Sequence, residues 1–251
     1  MMKRILPVIG LLVFAVPAWA ASPGVSPQQF SWSWEGIFGT YDREQVQRGL
    51  EVFTTQCHSC HSLKYIRFRD LVAIGLSEDE AEALAAGYEV PGEFDEWGDE
   101  TTKPAELQHT FPGPYRNDTE ARALNNGALP PDLSLMVKAR VDGANYIASL
   151  LMDPDYNQSE PDDNGLYHNP YFAGGSIAMA PPLYEGLLVD AEGNDMAVDE
   201  LARDITAFLA WAAEPKLEDR KRMGMKVVLF LLVLTGLYYV LKRKIWANVD
   251  H

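Results

Sequence analysis

A chain of 251 residues, 47% of them hydrophobic, has apolar material for one folded domain with length left for targeting and anchoring segments. Its formal net charge of -15 argues against nucleic acid as a partner and in favour of a basic protein.

The chain opens with Lys3 and Arg4 ahead of an apolar run from Ile5 to Val16, and Ala18-Trp19-Ala20 puts small residues at the two positions a signal peptidase reads. The run is short for a membrane span. Residues 1–20 are therefore expected to be a cleaved leader, with the exported domain beginning near Ala21 and facing the periplasm.

Ser31 to Tyr41 is aromatic and irregular, and Asp42 is placed to cap a helix in which Val46, Leu50, Phe53 and Cys57 recur at helical spacing. Gly49, beside that stripe, leaves room for a second helix to approach. The stripe runs into Cys57-His58-Ser59-Cys60-His61, which uses both cysteines of the chain. C-x-x-C-H is the attachment signature of a c-type haem: two thiols add to the vinyl groups and the histidine reaches the iron. On a helix the two sulfurs would share a face. A thioredoxin-like pair would want a βαβ setting, and a structural zinc would want a second ligand pair; the remaining His109, His168 and His251 are unpaired. His58 reads as a variable residue between the cysteines.

Beyond the motif, Lys64, Arg67 and Arg69 make a basic patch in Ser62–Leu71, suited either to a solvated face or to balancing haem propionates. Ser77 and Glu80 form a capping-box pattern opening a short helix that ends near Gly87. From Glu78 to Glu106 there are eleven acids and one base, Lys103, which reads as a solvated loop or as a docking surface for a basic protein. Turn chemistry follows at Asn125-Asn126-Gly127 and Pro130-Pro131-Asp132, with Arg122 just upstream, where a guanidinium suits a propionate and a plain surface position equally.

A sixth iron ligand is sought among Met136, Met152, Met179, Met196 and the lone histidines. Met136 and Met152 fall on apolar helical faces and suit core packing. Met179 sits in Gly174-Gly175-Ser176-Ile177-Ala178-Met179-Ala180-Pro181-Pro182, a stiff apolar loop in which a thioether favours ferrous iron, and His168 is its competitor.

Asp199 is expected to cap a last helix of the domain with Leu201, Ile205, Phe208 and Ala212 on one stripe, stopping at Pro215. Val227 to Leu241 carries no charge, and counting back to Met223 admits only Lys226 and gives about 28 Å of helix, so residues 223–242 read as a transmembrane helix ending in the basic stop Lys242-Arg243-Lys244, with a short cytoplasmic tail, 243–251. Residues 21–222 are then the periplasmic domain of a protein single-pass in a bacterial inner membrane.

Several blocks together resemble the cytochrome c1 family. They are Arg48-Gly49 to Ser62 with Tyr65-Ile66-Arg67-Phe68-Arg69-Asp70-Leu71, Ala121-Arg122 through Asn125-Asn126-Gly127-Ala128-Leu129-Pro130-Pro131-Asp132-Leu133, Asn169-Pro170-Tyr171-Phe172 with Met179-Ala180-Pro181-Pro182, and Trp211-Ala212-Ala213-Glu214-Pro215 leading to Arg220-Lys221-Arg222. The resemblance implies a mainly α c-type cytochrome domain with long loop insertions and one C-terminal transmembrane helix. It implies one covalent haem c held by Cys57 and Cys60, iron ligated by His61 and Met179, and a propionate contacted by Arg122. It also implies a subunit of the cytochrome bc1 complex, ubiquinol:cytochrome c oxidoreductase, beside cytochrome b and within membrane lipid. There the chain would relay electrons from the Rieske iron-sulfur protein to a cytochrome c acceptor. Some members brace the stretch before the methionine with a disulfide, whereas here Ala144 to Ala178 is expected to be held by packing alone. A free-standing tethered carrier and a haem peroxidase or sensor are the alternatives.

Overall fold

The computed structural model describes residues 25–248, and the expected leader lies outside them. Asp42 caps α1 (Arg43–Thr55) through Oδ1, which accepts from the amides of Glu44 and Gln45. A 3-10 turn at Cys57–Ser59 follows, then β1 (Leu63–Arg67) and a second 3-10 stretch, Phe68–Ile74. Ser77 opens α2 (Glu78–Ala86) with the reciprocal capping box its spacing predicts, Glu80 N–H donating to Ser77 Oγ and Ser77 N–H to Glu80.

The acidic stretch beyond α2 is more ordered than a solvated loop. β2 (Glu89–Phe94) and β3 (Glu100–Pro104) form an antiparallel hairpin, and Asp95 Oδ1 accepts from the amides of Trp97 and Asp99 to shape its tip, where Gly98 takes a positive φ. β4 (Thr110–Phe111) returns to pair with β1. Four short helices come next, α3 (Asp118–Leu124), α4 (Met136–Ala139), α5 (Gly143–Met152) and α6 (Pro154–Asn157), and then a small antiparallel pair, β5 (Tyr167–His168) with β6 (Ser176–Ile177). Helices α7 (Val198–Ala213) and α8 (Leu217–Ile245) complete the order. The chain is mainly helical, as expected for a cytochrome domain of this type.

The centre of the domain is the crossing of α1 on α7. A Cβ on Gly49 would lie 2.0 Å from the Asp204 carbonyl oxygen, so this crossing exists only because position 49 has no side chain. Next to it the Arg48 guanidinium clasps the buried Asp204 carboxylate with Nε at 2.7 Å and Nη2 at 3.2 Å. Val46, Phe53, Leu201, Ile205 and Phe208 are fully buried between the two helices and their neighbours, and α4 and α5 cover the other side of α7. Asp199 is not the cap of α7. The helix begins earlier, with Ala197 at the N-cap and the amides of Glu200 and Leu201 donating to its carbonyl, so Asp199 contributes its charge in the first turn instead.

Helix α8 is 29 residues long, about 44 Å, and its apolar stretch from Val227 to Leu241 is exposed, as in a membrane anchor. It starts six residues before the span that hydropathy marks, because its first turns belong to the haem-motif domain. Leu217 is buried, Glu218 accepts from Tyr41 N–H and pairs with Arg43 at 2.8 Å, and Lys221 Nζ donates to the carbonyls of Trp34 and Gly39. The aromatic segment Trp32–Tyr41 thus forms a collar around the root of the anchor, with Trp32 stacked on Trp34 and Trp34 packed on Tyr41.

Candidate haem site

The attachment motif lies just past the end of α1 rather than on it, contrary to the expectation of a shared helical face. Ser59 Oγ takes the Gln56 carbonyl that the next helical turn would need, and the amides of Cys60 and His61 both turn back to the Cys57 carbonyl, at 3.2 and 2.9 Å. The tight turn keeps Cys57, Cys60 and His61 together by another route. Both thiols are free and half-buried, and Cys57 packs against the central core. Burial, with the neighbouring Cys60 sulfur, pushes the Cys57 thiol up to about 12. A redox-active C-x-x-C needs the opposite shift, so this pair does not resemble a disulfide exchanger.

His61 is oriented for ligation. Its Nδ1 lies 2.8 Å from the Pro131 carbonyl oxygen, which can only accept, so Nδ1 carries the proton and Nε2 presents the lone pair. Burial lowers the imidazole pKa, opposed by the Pro131 bond and by the charge of Asp132, which leaves the ring neutral near pH 7. The Pro131 carbonyl is itself fixed. Asp132 accepts from Ser62 Oγ at 2.8 Å, Lys64 N–H at 2.9 Å and Ser134 N–H at 3.0 Å, and Leu133 N–H donates to the Ser62 carbonyl. Burial works to raise the Asp132 pKa, but these bonds outweigh it and hold the carboxyl below its ordinary range. The sequence marks Asp132 only as part of a turn, an acid after Pro-Pro and two before a serine in the pattern of an Asx turn, and not as the residue that fixes the Pro131 carbonyl.

His58, between the cysteines, has its side chain placed by neighbours from other elements. Its ring packs edge-on to Tyr88 and Phe111 and tilted to Phe53, and its Nδ1 donates to the His61 carbonyl at 3.2 Å. The basic side chains of Lys64, Arg67 and Arg69 are all exposed.

Met179 is half-buried and packs against the same apolar core as Cys57, whereas His168 is exposed at the end of β5. The stretch before Met179 is held by more than packing. Asn169, fully buried, donates Nδ2–H to the Leu150 carbonyl, accepts on Oδ1 from the amides of Tyr171 and Phe172, and donates its own amide to Gly175. Tyr156, also fully buried, donates its hydroxyl to the Met179 carbonyl at 2.9 Å. Arg122 is exposed and its Nη1 donates to the Gly127 carbonyl, closing the turn in which Asn126 and Gly127 take positive φ.

Two free thiols, an imidazole with Nδ1 tied and Nε2 open, and a thioether at the margin of a dry core are a donor set that fits a c-type haem. The sequence model of the Cytochrome C1 family matches residues 32–249. Cytochrome c1 of Rhodospirillum rubrum is 43% identical over 269 aligned positions, covering 99% of this chain and 98% of that protein. The mitochondrial cytochrome c1 haem protein of Neurospora crassa is 44% identical over 236, covering 93% and 71%. A protein of Candida albicans named as the catalytic subunit of the mitochondrial cytochrome b-c1 complex is 40% identical over 239, covering 92% and 81%.

Proposed function

The chain belongs to the cytochrome C1 family, and from that premise we propose that it is the haem c subunit of a bacterial cytochrome bc1 complex, relaying single electrons from the Rieske iron-sulfur protein to a cytochrome c. Cys57 and Cys60 would hold the haem through thioether bonds, with His61 Nε2 and the Met179 sulfur as its iron ligands and Arg122 toward a propionate. Bound haem supplies one-electron exchange, and the chain performs no bond chemistry on a substrate.

The protein's own contribution is to orient, insulate and dock. Pro131 fixes the imidazole tautomer, Met179 packs against the apolar core, and apolar surroundings with a thioether ligand favour the reduced state and a raised potential. Helix α8 anchors the domain beside cytochrome b in the lipid, with the domain in the periplasm if residues 1–20 are a cleaved leader. The exposed acids of α2 and the β2–β3 hairpin offer a basic cytochrome c a field to follow.

The observation that carries this reading is the His61 Nδ1 bond to Pro131, which sets the ligating tautomer immediately after both thiols. Its test is purification of the tagged chain in mild detergent. A cytochrome b and an iron-sulfur protein are expected to co-elute, and acid-acetone is expected to leave the haem on the denatured chain. A chain that elutes alone would be a free-standing carrier, and haem lost to acid-acetone would remove the thioether assignment.

A further inference from the structure

We infer that Tyr156 is the positioning residue of Met179, its hydroxyl holding the methionine's carbonyl so that the thioether stays on the iron. The inference rests on the reading of Met179 as the sixth ligand and goes beyond it, because it names what keeps that ligand in place in a chain whose cysteines are both in the attachment motif.

The loop around Met179 has few other means of support. Backbone pairing of β5 with β6 ends at Ile177, and Pro181 and Pro182 have no amide hydrogen to offer. Among the described residues, the Met179 carbonyl is the one backbone group between Ala178 and Leu183 that takes part in a hydrogen bond, and its donor is Tyr156 at 2.9 Å. A lone anchor placed at the ligating residue itself, rather than somewhere along the loop, acts directly on the direction in which the side chain leaves the backbone.

The anchor is firm at its other end. Tyr156 is fully buried in α6, a single turn capped by Asp153, whose Oδ1 accepts the Tyr156 amide at 2.8 Å, with Pro154 setting the first helical φ. Ser159 Oγ donates to the Tyr156 carbonyl just past the helix end, and Asn157 Nδ2 donates to the Leu151 carbonyl, which ties α6 to the end of α5. α5 packs on α7, and α7 on α1, whose end delivers Cys57. A continuous line of packed and bonded groups therefore runs from the first attachment thiol to the Met179 carbonyl.

The test compares three variants of the detergent-solubilised holoprotein. Tyr156→Phe keeps the ring and removes the bond; Tyr41→Phe removes another buried tyrosine's hydroxyl, which donates to the carbonyls of Ala210 and Glu214 at the end of α7; Met179→Leu removes the ligand. The readouts are the methionine-to-iron charge-transfer band of the oxidised protein, the midpoint potential, and carbon monoxide binding by the reduced protein. Tyr156→Phe is expected to weaken the band, lower the potential and raise carbon monoxide binding about threefold to tenfold, the population shift that one lost hydrogen bond of ordinary net strength gives. Tyr41→Phe is expected to change none of the three. Loss of the band in Met179→Leu with no change in Tyr156→Phe would overturn the inference alone, and equal shifts in both tyrosine variants would do so too. A band that persists in Met179→Leu would instead remove the ligand assignment. If Tyr156→Phe does not accumulate, hydrogen exchange in the wild type decides: the bonded amides of segments 156–159 and 169–177 are expected to open together, and independent opening would overturn the inference.

Discussion

Replacing Gly49 by alanine sets helix propensity against packing, and the structure says which wins. Position 49 lies inside α1, where alanine gains about 1 kcal/mol over glycine in an unpacked helix. The added Cβ, however, would fall 2.0 Å from the Asp204 carbonyl oxygen and 2.7 Å from the Phe208 Cβ, both well inside ordinary contact. Both neighbours are main-chain or Cβ atoms of α7, so no side-chain rotation relieves the clash and the two helices must separate. Separation uncovers Phe53 and Phe208, whose rings lie 5.5 Å apart, and strains the Arg48–Asp204 clasp one residue away. Overpacking of this kind costs about 1–3 kcal/mol before the loosened contacts are counted. We expect a net loss of about 3 kcal/mol, a shift on the order of 100-fold in the folding equilibrium. The assay is denaturant unfolding of the solubilised protein followed by tryptophan fluorescence, Trp211 being in the same cluster. An alanine variant as stable as the wild type, or more so, would show that the crossing yields and that the argument from Gly49 is wrong.

Truncation distinguishes the anchor from its root. A chain ending at Arg222 keeps the Glu218 and Lys221 contacts and is expected to be soluble and to melt with the full-length domain, whereas one ending at Glu214 is expected to melt several degrees lower; equal melting would assign the first turns of α8 to the anchor alone. Converting Glu93, Glu96, Asp99 and Glu100 to their amides, with Asp95 left in place because it shapes the hairpin tip, is expected to slow reduction of a basic cytochrome c at low salt and flatten its ionic-strength dependence in stopped-flow; parallel salt curves would place docking elsewhere. Glu214 gives a pH signature. Hydrogen bonds from Arg220 and, at 3.1 Å, Lys138 hold its carboxyl below the usual range against burial, so its contribution is present above the unfolded carboxylate value and is lost as pH falls through the lowered one. Glu214→Gln is therefore expected to melt below the wild type at pH 7 and to converge with it in acid, and a gap that persists below the folded-state value would contradict the assignment.

What the sequence made legible was local. The Asp42 cap, the Ser77–Glu80 box, the stripe from Val46 to Phe53 and the close approach at Gly49 each follow from a spacing of a few residues, and each is present. The β2–β3 hairpin was hidden because its strands alternate poorly and carry acids on exposed positions, so charge density masked the Asp95 and Gly98 turn that closes it. The start of α8 was hidden because hydropathy marks only what meets lipid, and the collar at Glu218 and Lys221 is polar. Asp132 and Tyr156 were hidden for a different reason. Their partners lie 70 and 23 residues away in the chain, and no periodicity links a tyrosine in a one-turn helix to a methionine in a distant loop.

Those two residues hold the proposed iron ligands in unequal ways. On the histidine side a side-chain nitrogen is tied to a carbonyl, and the loop carrying that carbonyl is stitched to β1 through the hydrogen bonds of Asp132 and Leu133. On the methionine side the tie is to the backbone of the ligand itself, through one phenol, and the thioether's own orientation is left to contact with the core. The methionine half is thus the softer of the two, which is where variation in potential should concentrate. Softness there is tolerable in a relay only if nothing else competes for the metal. The apolar core against which Met179 packs leaves little room for a competing ligand, while the Tyr156 hydroxyl would hold the thioether in place, so loosening either should lower the potential by a route the other does not repair.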